Sequence, residues 1–168
     1  MKQQQSGMTL VELMIVVLLI GILVLLATPL TSSWINGARV GESLGAMEQA
    51  VGQAKAVALR NQAAIQGTGA ASVICLSADG VLSVTSAVPA APPAAAVPAT
   101  CGAGAPAALW STRLHSSVEV KIGTQDWSCS CFTNKGLLTG AGATCAGCGN
   151  SLKFTISSGD EHDTLEFY

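Results

Sequence analysis

The sequence predicts an α+β protein in which one long N-terminal helix packs, through its second half, on an antiparallel sheet-rich C-terminal domain. Three observations carry that expectation. Met8 to Ala27 is an almost unbroken apolar run, MTLVELMIVVLLIGILVLLA. A second, amphipathic helical pattern follows it. From about residue 70 the pattern changes to short alternating runs bounded by turn residues.

Residues 1–7 form a short polar leader carrying one lysine, Lys2. Residues 8–30 are read as a hydrophobic transmembrane and assembly helix, because about twenty apolar residues span a bilayer. The lysine before it places the N-terminus on the cytoplasmic side. A cleaved secretory signal is the competing reading. Glu12 inside the run and the lack of a clean A-x-A site before the next helical pattern begins count against that. A carboxylate within a spanning helix costs several kcal/mol unless paired or solvated, so Glu12 is read as functional.

Gly7-Met8-Thr9-Leu10-Val11-Glu12-Leu13, behind a basic leader and ahead of the apolar run, resembles the type IV prepilin signal. The resemblance implies that a prepilin peptidase cuts between Gly7 and Met8 and methylates the new Met8 amine. It makes Glu12 the assembly glutamate and Pro29 the proline that breaks the helix. Met8 stands where phenylalanine is usual. The Glu12 carboxylate of one subunit meeting the Met8 amine of a neighbour would neutralise both charges and favour assembly in register.

Residues 31–66 are expected to form the amphipathic second half of the helix. Val40, Leu44, Met47, Val51, Ala54 and Ala58 recur at helical spacing on one face, while Gly41, Gly45 and Gly52 weaken it locally. With the anchor this makes a rod of about fifty residues, roughly 75–80 Å long, which Pro29 should kink or locally melt. Residues 67–168 are expected to be a periplasmic β-rich domain. Strands are predicted over 72–77 and 81–86, joined by Ala78-Asp79-Gly80, and over 118–122, 128–133, 152–157 and 164–168, with a polar turn over 158–163. Residues 87–108 hold eleven alanines and five of the six prolines. They are read as an inserted extended loop, since such a segment pairs poorly in a sheet.

Ala38-Arg39, Ala54 to Gln62 and Val73 to Gly80 are similar to the GspH/FimT-like group, which contains minor pilins of type IV pili and the H-type minor pseudopilin of type II secretion. The likeness runs from Gly7 to about Gly80, with an echo at Phe132 to Gly136. It implies the type IV pilin fold and partners of defined kinds: other minor pilins and the major pilin through the N-terminal helices, the prepilin peptidase, the inner membrane, and a tip adhesin or assembly platform. The implied location is the inner membrane of a Gram-negative bacterium, single-pass with a periplasmic domain, and the pilus tip or cell surface after assembly.

Cys75, Cys101, Cys129, Cys131, Cys145 and Cys148 all lie beyond the anchor, in a compartment where disulfides persist. Cys129-x-Cys131 with Cys145-x-x-Cys148 could supply four thiolates to zinc. The first spacing is unusual for that and the compartment oxidising, so bridges are preferred and no metal or cofactor is expected. On a strand, Cys129 and Cys131 point to one face and could meet Cys145 and Cys148 in either order. Cys75 with Cys101 would then close the Ala/Pro loop.

Composition narrows the function. Charged residues are 11% and aromatics 4%, so neither a strong phosphate-binding field nor a large aromatic pocket is expected. His115 and His162 give no catalytic or metal spacing, and no nucleophile elbow or phosphate loop is present. An enzyme is not expected. The expected function is a minor pilin that joins a tip complex priming pilus assembly; the alternatives are a type II secretion pseudopilin and a DNA-uptake pilin. For DNA, Arg113, Lys121, Lys135 and Lys153 would have to gather into a patch. The last nine residues instead hold Asp160, Glu161, Asp163 and Glu166 without a lysine or arginine, which repels phosphate.

Overall fold

The computed structural model describes residues 8–89, 95–102, 104–140, 148 and 153–167, with backbone alone for 26–30. Helix α1 runs Leu10–Arg60, 51 residues, about 75 Å at the usual rise. It continues through Pro29, where the sequence predicts a kink or local melting; the helix does not melt there. Proline removes only its own donor and strains one turn, and the ladder continues on both sides. The C-terminus also differs: the helix stops at Arg60 rather than residue 66. Asn61 adopts the left-handed conformation (φ 39°), its N–H donates to Val57 O, and its side chain closes a turn with Ile65 through two 2.8 Å hydrogen bonds. This is a left-handed helix end in which asparagine takes glycine's usual place.

Among the described residues eight strands follow: β1 (Ser72–Leu76), β2 (Val81–Ser86), β3 (Trp110–Arg113), β4 (Val118–Ile122), β5 (Gln125–Asp126), β6 (Cys129–Phe132), β7 (Lys153–Ser158) and β8 (Glu161–Glu166). They make two antiparallel four-stranded sheets, ordered β3-β2-β1-β6 and β5-β4-β7-β8. Strands β3 and β5 are absent from the sequence reading: four and two residues are too short to show a period. The predicted polar turn over 158–163 shrinks to Gly159-Asp160, so β8 starts three residues early. Gly159 takes φ +58°, as a two-residue hairpin with glycine first requires.

Both sheets pack on the second half of α1. Met47, Ala50, Val51, Ala54 and Ala58 are buried against Ile74, Leu82, Val84, Phe132, Phe154 and Ile156, whereas Gly41, Gly45 and Gly52 lie on the exposed side. Small side chains let the backbones approach, and the Ser72 hydroxyl donates to Ala54 O at 2.7 Å. Few aromatics suffice because they cluster: Trp127 meets Phe154 edge-on at 5.1 Å, and Phe154 meets Phe167 at 6.3 Å. Trp127 Nε1–H donates to Ser130 Oγ at 3.0 Å, so burial leaves its donor satisfied.

On the outer face of the first sheet, described residues of the chain between β2 and β3 are tied back to the strands. Val88 and Val97 form an isolated bridge, Thr85 Oγ1–H donates to Thr100 O at 3.1 Å, and Cys75 is bonded to Cys101 across a Cα separation of 5.8 Å. A second bridge joins Cys131 to Cys148, Cα atoms 5.1 Å apart. Cys129 is also disulfide-bonded; Cys145 lies outside the described residues, as do 90–94 and 103 of the Ala/Pro loop.

Where α1 leaves the domain, the β7–β8 hairpin holds it. Ser33 Oγ–H donates to Glu161 Oε1 at 2.6 Å, and Ser117 and Ser158 link Arg39 and Asn36 to sheet two through bonds of 2.8 to 3.5 Å. A Cβ on Gly159 would lie 2.6 Å from Asn36 Nδ2, while one on Gly123 (φ +61°) would meet nothing. Gly159→Ala is therefore expected to cost more than Gly123→Ala, where strain in the left-handed region alone costs about 1–3 kcal/mol. Urea unfolding of the full chain in detergent measures both. Equal losses would show that the hairpin does not press on the helix.

Candidate functional site

The N-terminal end of α1 is closed by its own residues. Thr9 is the N-cap: its hydroxyl oxygen accepts from Glu12 N–H at 3.3 Å. Its own N–H and hydroxyl both donate to Glu12 Oε2, each at 3.0 Å. This reciprocal capping box satisfies two groups that helix geometry leaves unpaired. Thr9-Leu10-Val11-Glu12 spells its signature, a signal in the sequence that the charge-based reading of Glu12 did not use. The carboxylate remains exposed; Thr9 orients it without neutralising it.

Beyond the cap every described side chain from Met8 to Leu25 is exposed. Fifteen large apolar side chains stand there in contact with solvent. Burying them would be worth on the order of 20 kcal/mol or more at about 1.5–3 kcal/mol each, well above the several kcal/mol that desolvating one carboxylate costs. Such a surface needs an apolar partner. Trp34, 78% exposed, extends it towards the domain. Among the described residues no helix is long and apolar enough to cross a membrane; side chains are described continuously only to Leu25, so the expected span over 8–30 lies partly outside them. Pro29 is described by its backbone alone, and Gly7, with the rest of the leader, falls outside.

Residues 2–28 match the family model of the prokaryotic N-terminal methylation motif. The match covers the leader, the cap and the apolar run. With a long helix packed on antiparallel sheets, it supports a type IV pilin-like or pseudopilin-like envelope protein. No curated protein and no solved structure matches the chain.

The basic residues considered for nucleic acid are spread over the domain. Arg113 is on β3 in the first sheet, Lys121 on β4 and Lys153 on β7 in the second, and Lys135 in the turn after β6. Lys121 Nζ–H donates to Glu119 Oε2 at 2.6 Å and lies 4.0 Å from Asp126, and Lys153 is 3.7 Å from Glu166. The hydrogen bond and charge of Lys121 hold the Glu119 carboxyl below its ordinary range, and Glu119 raises the Lys121 ammonium in turn. A depressed carboxyl contributes its stability above the unfolded-state value and loses it as pH falls through the folded one. Both groups are exposed, so the contribution is small and salt-sensitive. In Lys121→Met the Glu119 midpoint should move up towards that of a free glutamate, as read by carboxyl-carbon NMR titration. An unchanged midpoint would sever the pair from its proposed cause.

Proposed function

We propose that this chain is a minor pilin: a structural subunit, without catalysis of its own, that joins the tip complex from which a type IV pilus grows. The observation that carries the reading is the exposed apolar half of a helix whose other half is clamped into a folded domain, the apolar half lying within the residues that match a methylation motif. Before assembly the apolar segment would sit in the inner membrane, with the domain in the periplasm. After assembly it would pack among the helices of other minor pilins and the major pilin, and the domain would face a tip adhesin or the assembly platform. Nucleic acid is not proposed as a partner. The likeness of residues 54–80 to the minor group supports a minor rather than an abundant subunit.

Processing and pairing follow from chemistry. A prepilin peptidase would cut after Gly7, whose missing side chain allows close backbone approach, and methylate Met8. The Met8 ammonium of one subunit and the Glu12 carboxylate of the next would then neutralise each other as both leave water. A misplaced neighbour would leave both charges buried and unpaired, so the pair selects register more than it adds strength.

Mass spectrometry of the N-terminal peptide from native membranes or filaments should find methylated Met8; Met1 on the assembled protein, or an N-terminus beyond Ala27, would refute the proposal. Glu12→Gln separates charge from capping, because glutamine also closes a capping box. Both Glu12→Gln and Glu12→Ala should insert normally but lose most co-purification with partner pilins and most surface piliation. Normal piliation in Glu12→Gln would overturn the charge pairing. Loss of protein secretion with piliation intact on deleting the chain would assign it to a secretion pseudopilus instead.

A further inference from the structure

The first sheet gathers three half-cystines at one spot. In the β1–β6 register Cys75 stands directly opposite Cys129. The next pair along is hydrogen-bonded, with Leu76 N–H donating to Ser128 O at 2.7 Å. Cys75 and Cys129 are therefore a non-hydrogen-bonded pair, the type whose side chains lie closest, with Cα atoms typically ~4.5 Å apart. That spacing falls within the range a disulfide spans. Yet Cys75 is bonded to Cys101, and Cys129 has a bridge of its own.

Thr100 is held by the Thr85 hydroxyl on β2, and the Cys101 sulfur lies 3.9 Å from Ile74 O, a carbonyl on the β6 side of β1. Cys129 stands on that side too, so the Cys75–Cys101 bridge and Cys129 meet on one face of the sheet. All three cysteines line one open groove of ≈ 460 Å³, beside Ser77, Ser83 and Ser128. Solvent and small reagents can enter it.

We propose that Cys75, Cys101 and Cys129 form a thiol–disulfide exchange site in which Cys75 moves its bond from the Ala/Pro loop to strand β6. A dithiol reductant, protein or small molecule, first opens the Cys129 bridge. The dithiol is oxidised to its own disulfide, and Cys129 and its former partner become thiols. The Cys129 thiolate then attacks Cys75 Sγ. The Cys75–Cys129 bond forms, the Cys75–Cys101 bond breaks, and its electron pair leaves with Cys101 as a thiolate. This second step is redox-neutral. Its product staples two strands to each other and frees the loop from the sheet, so one reduction event at β6 is relayed to the loop between β2 and β3.

Two measurements test it. Wild-type full-length protein is treated with limiting dithiothreitol, alkylated, and mapped without further reduction. Most of the partly reduced molecules should carry alkylated Cys101 and a peptide joining Cys75 to Cys129. Alkylated Cys129 with Cys75–Cys101 intact would overturn the proposal, as would Cys75 and Cys101 alkylated together. In oxidised Cys101→Ala, with folding verified by circular dichroism, the odd thiol should leave Cys75 for the former partner of Cys129. Alkylation confined to Cys75, or dimers linked through Cys75, would overturn it equally.

Discussion

Everything else in the molecule depends on the contact between the second half of α1 and the two sheets. A single 51-residue helix is asked to serve two surroundings. Between Val40 and Ala58 it buries a narrow stripe of small and medium side chains under both sheets. Between Met8 and Leu25 it keeps apolar side chains exposed on every side. An isolated helix of the latter kind would collapse or aggregate. Continuity with a docked half fixes its direction, so its apolar surface is presented as a rod rather than folded back onto the domain. The Ser33–Glu161 and Ser158–Asn36 bonds sit where the two regimes meet, and the hairpin turn at Gly159 allows the sheet to come that close.

The domain that does the clamping has little aromatic surface to work with. Its core is thin where helix and sheet meet, built from alanines that trade buried area for close approach. The outer face of the first sheet needs another source of stability, and the cysteines supply it. Each bridge that ties a flexible segment to the sheet typically adds about 2–4 kcal/mol by restricting the unfolded chain, a large share of a small domain's total. The Ala/Pro loop is itself low in unfolded entropy because proline fixes φ. Holding it against β1 and β2 with one bridge and the Thr85 hydrogen bond is therefore less costly than its length suggests.

The long helix, its buried face and six of the strands, β8 with a different start, were legible because their patterns run long enough to survive any reasonable packing. Val40, Met47, Val51, Ala54 and Ala58 were named from spacing and are buried, with Leu44 at the margin. Strands β3 and β5 were not legible, since pairing partners rather than their own pattern make them extended. The helix end was missed for a local reason: Asn61 in the left-handed conformation stops the helix six residues before the apolar pattern does. The split into two sheets is a matter of tertiary pairing that no single segment encodes. In the N-terminal segment the methylation motif was legible in the residues around Met8 and Glu12, while the capping of Glu12 by Thr9 follows from the amides left unpaired at a helix start rather than from charge.

The cap changes the state in which the carboxylate meets a partner. A Glu12 awaiting its neighbour would be a bare charge whose pairing released a large strain. A Glu12 already hydrogen-bonded to Thr9 has a local alternative, and N-capping interactions are worth about 0.5–2 kcal/mol. Pairing with an ammonium need not displace that cap, because a carboxylate has two oxygens and Thr9 occupies Oε2 alone. The threonine then fixes the rotamer while the other oxygen stays open to an incoming amine. Orientation settled before contact lowers the entropy lost on pairing, so the cap and the proposed intersubunit pair would reinforce rather than compete. If the proposed pairing holds, Thr9 would serve assembly as much as Glu12 does, through geometry rather than charge.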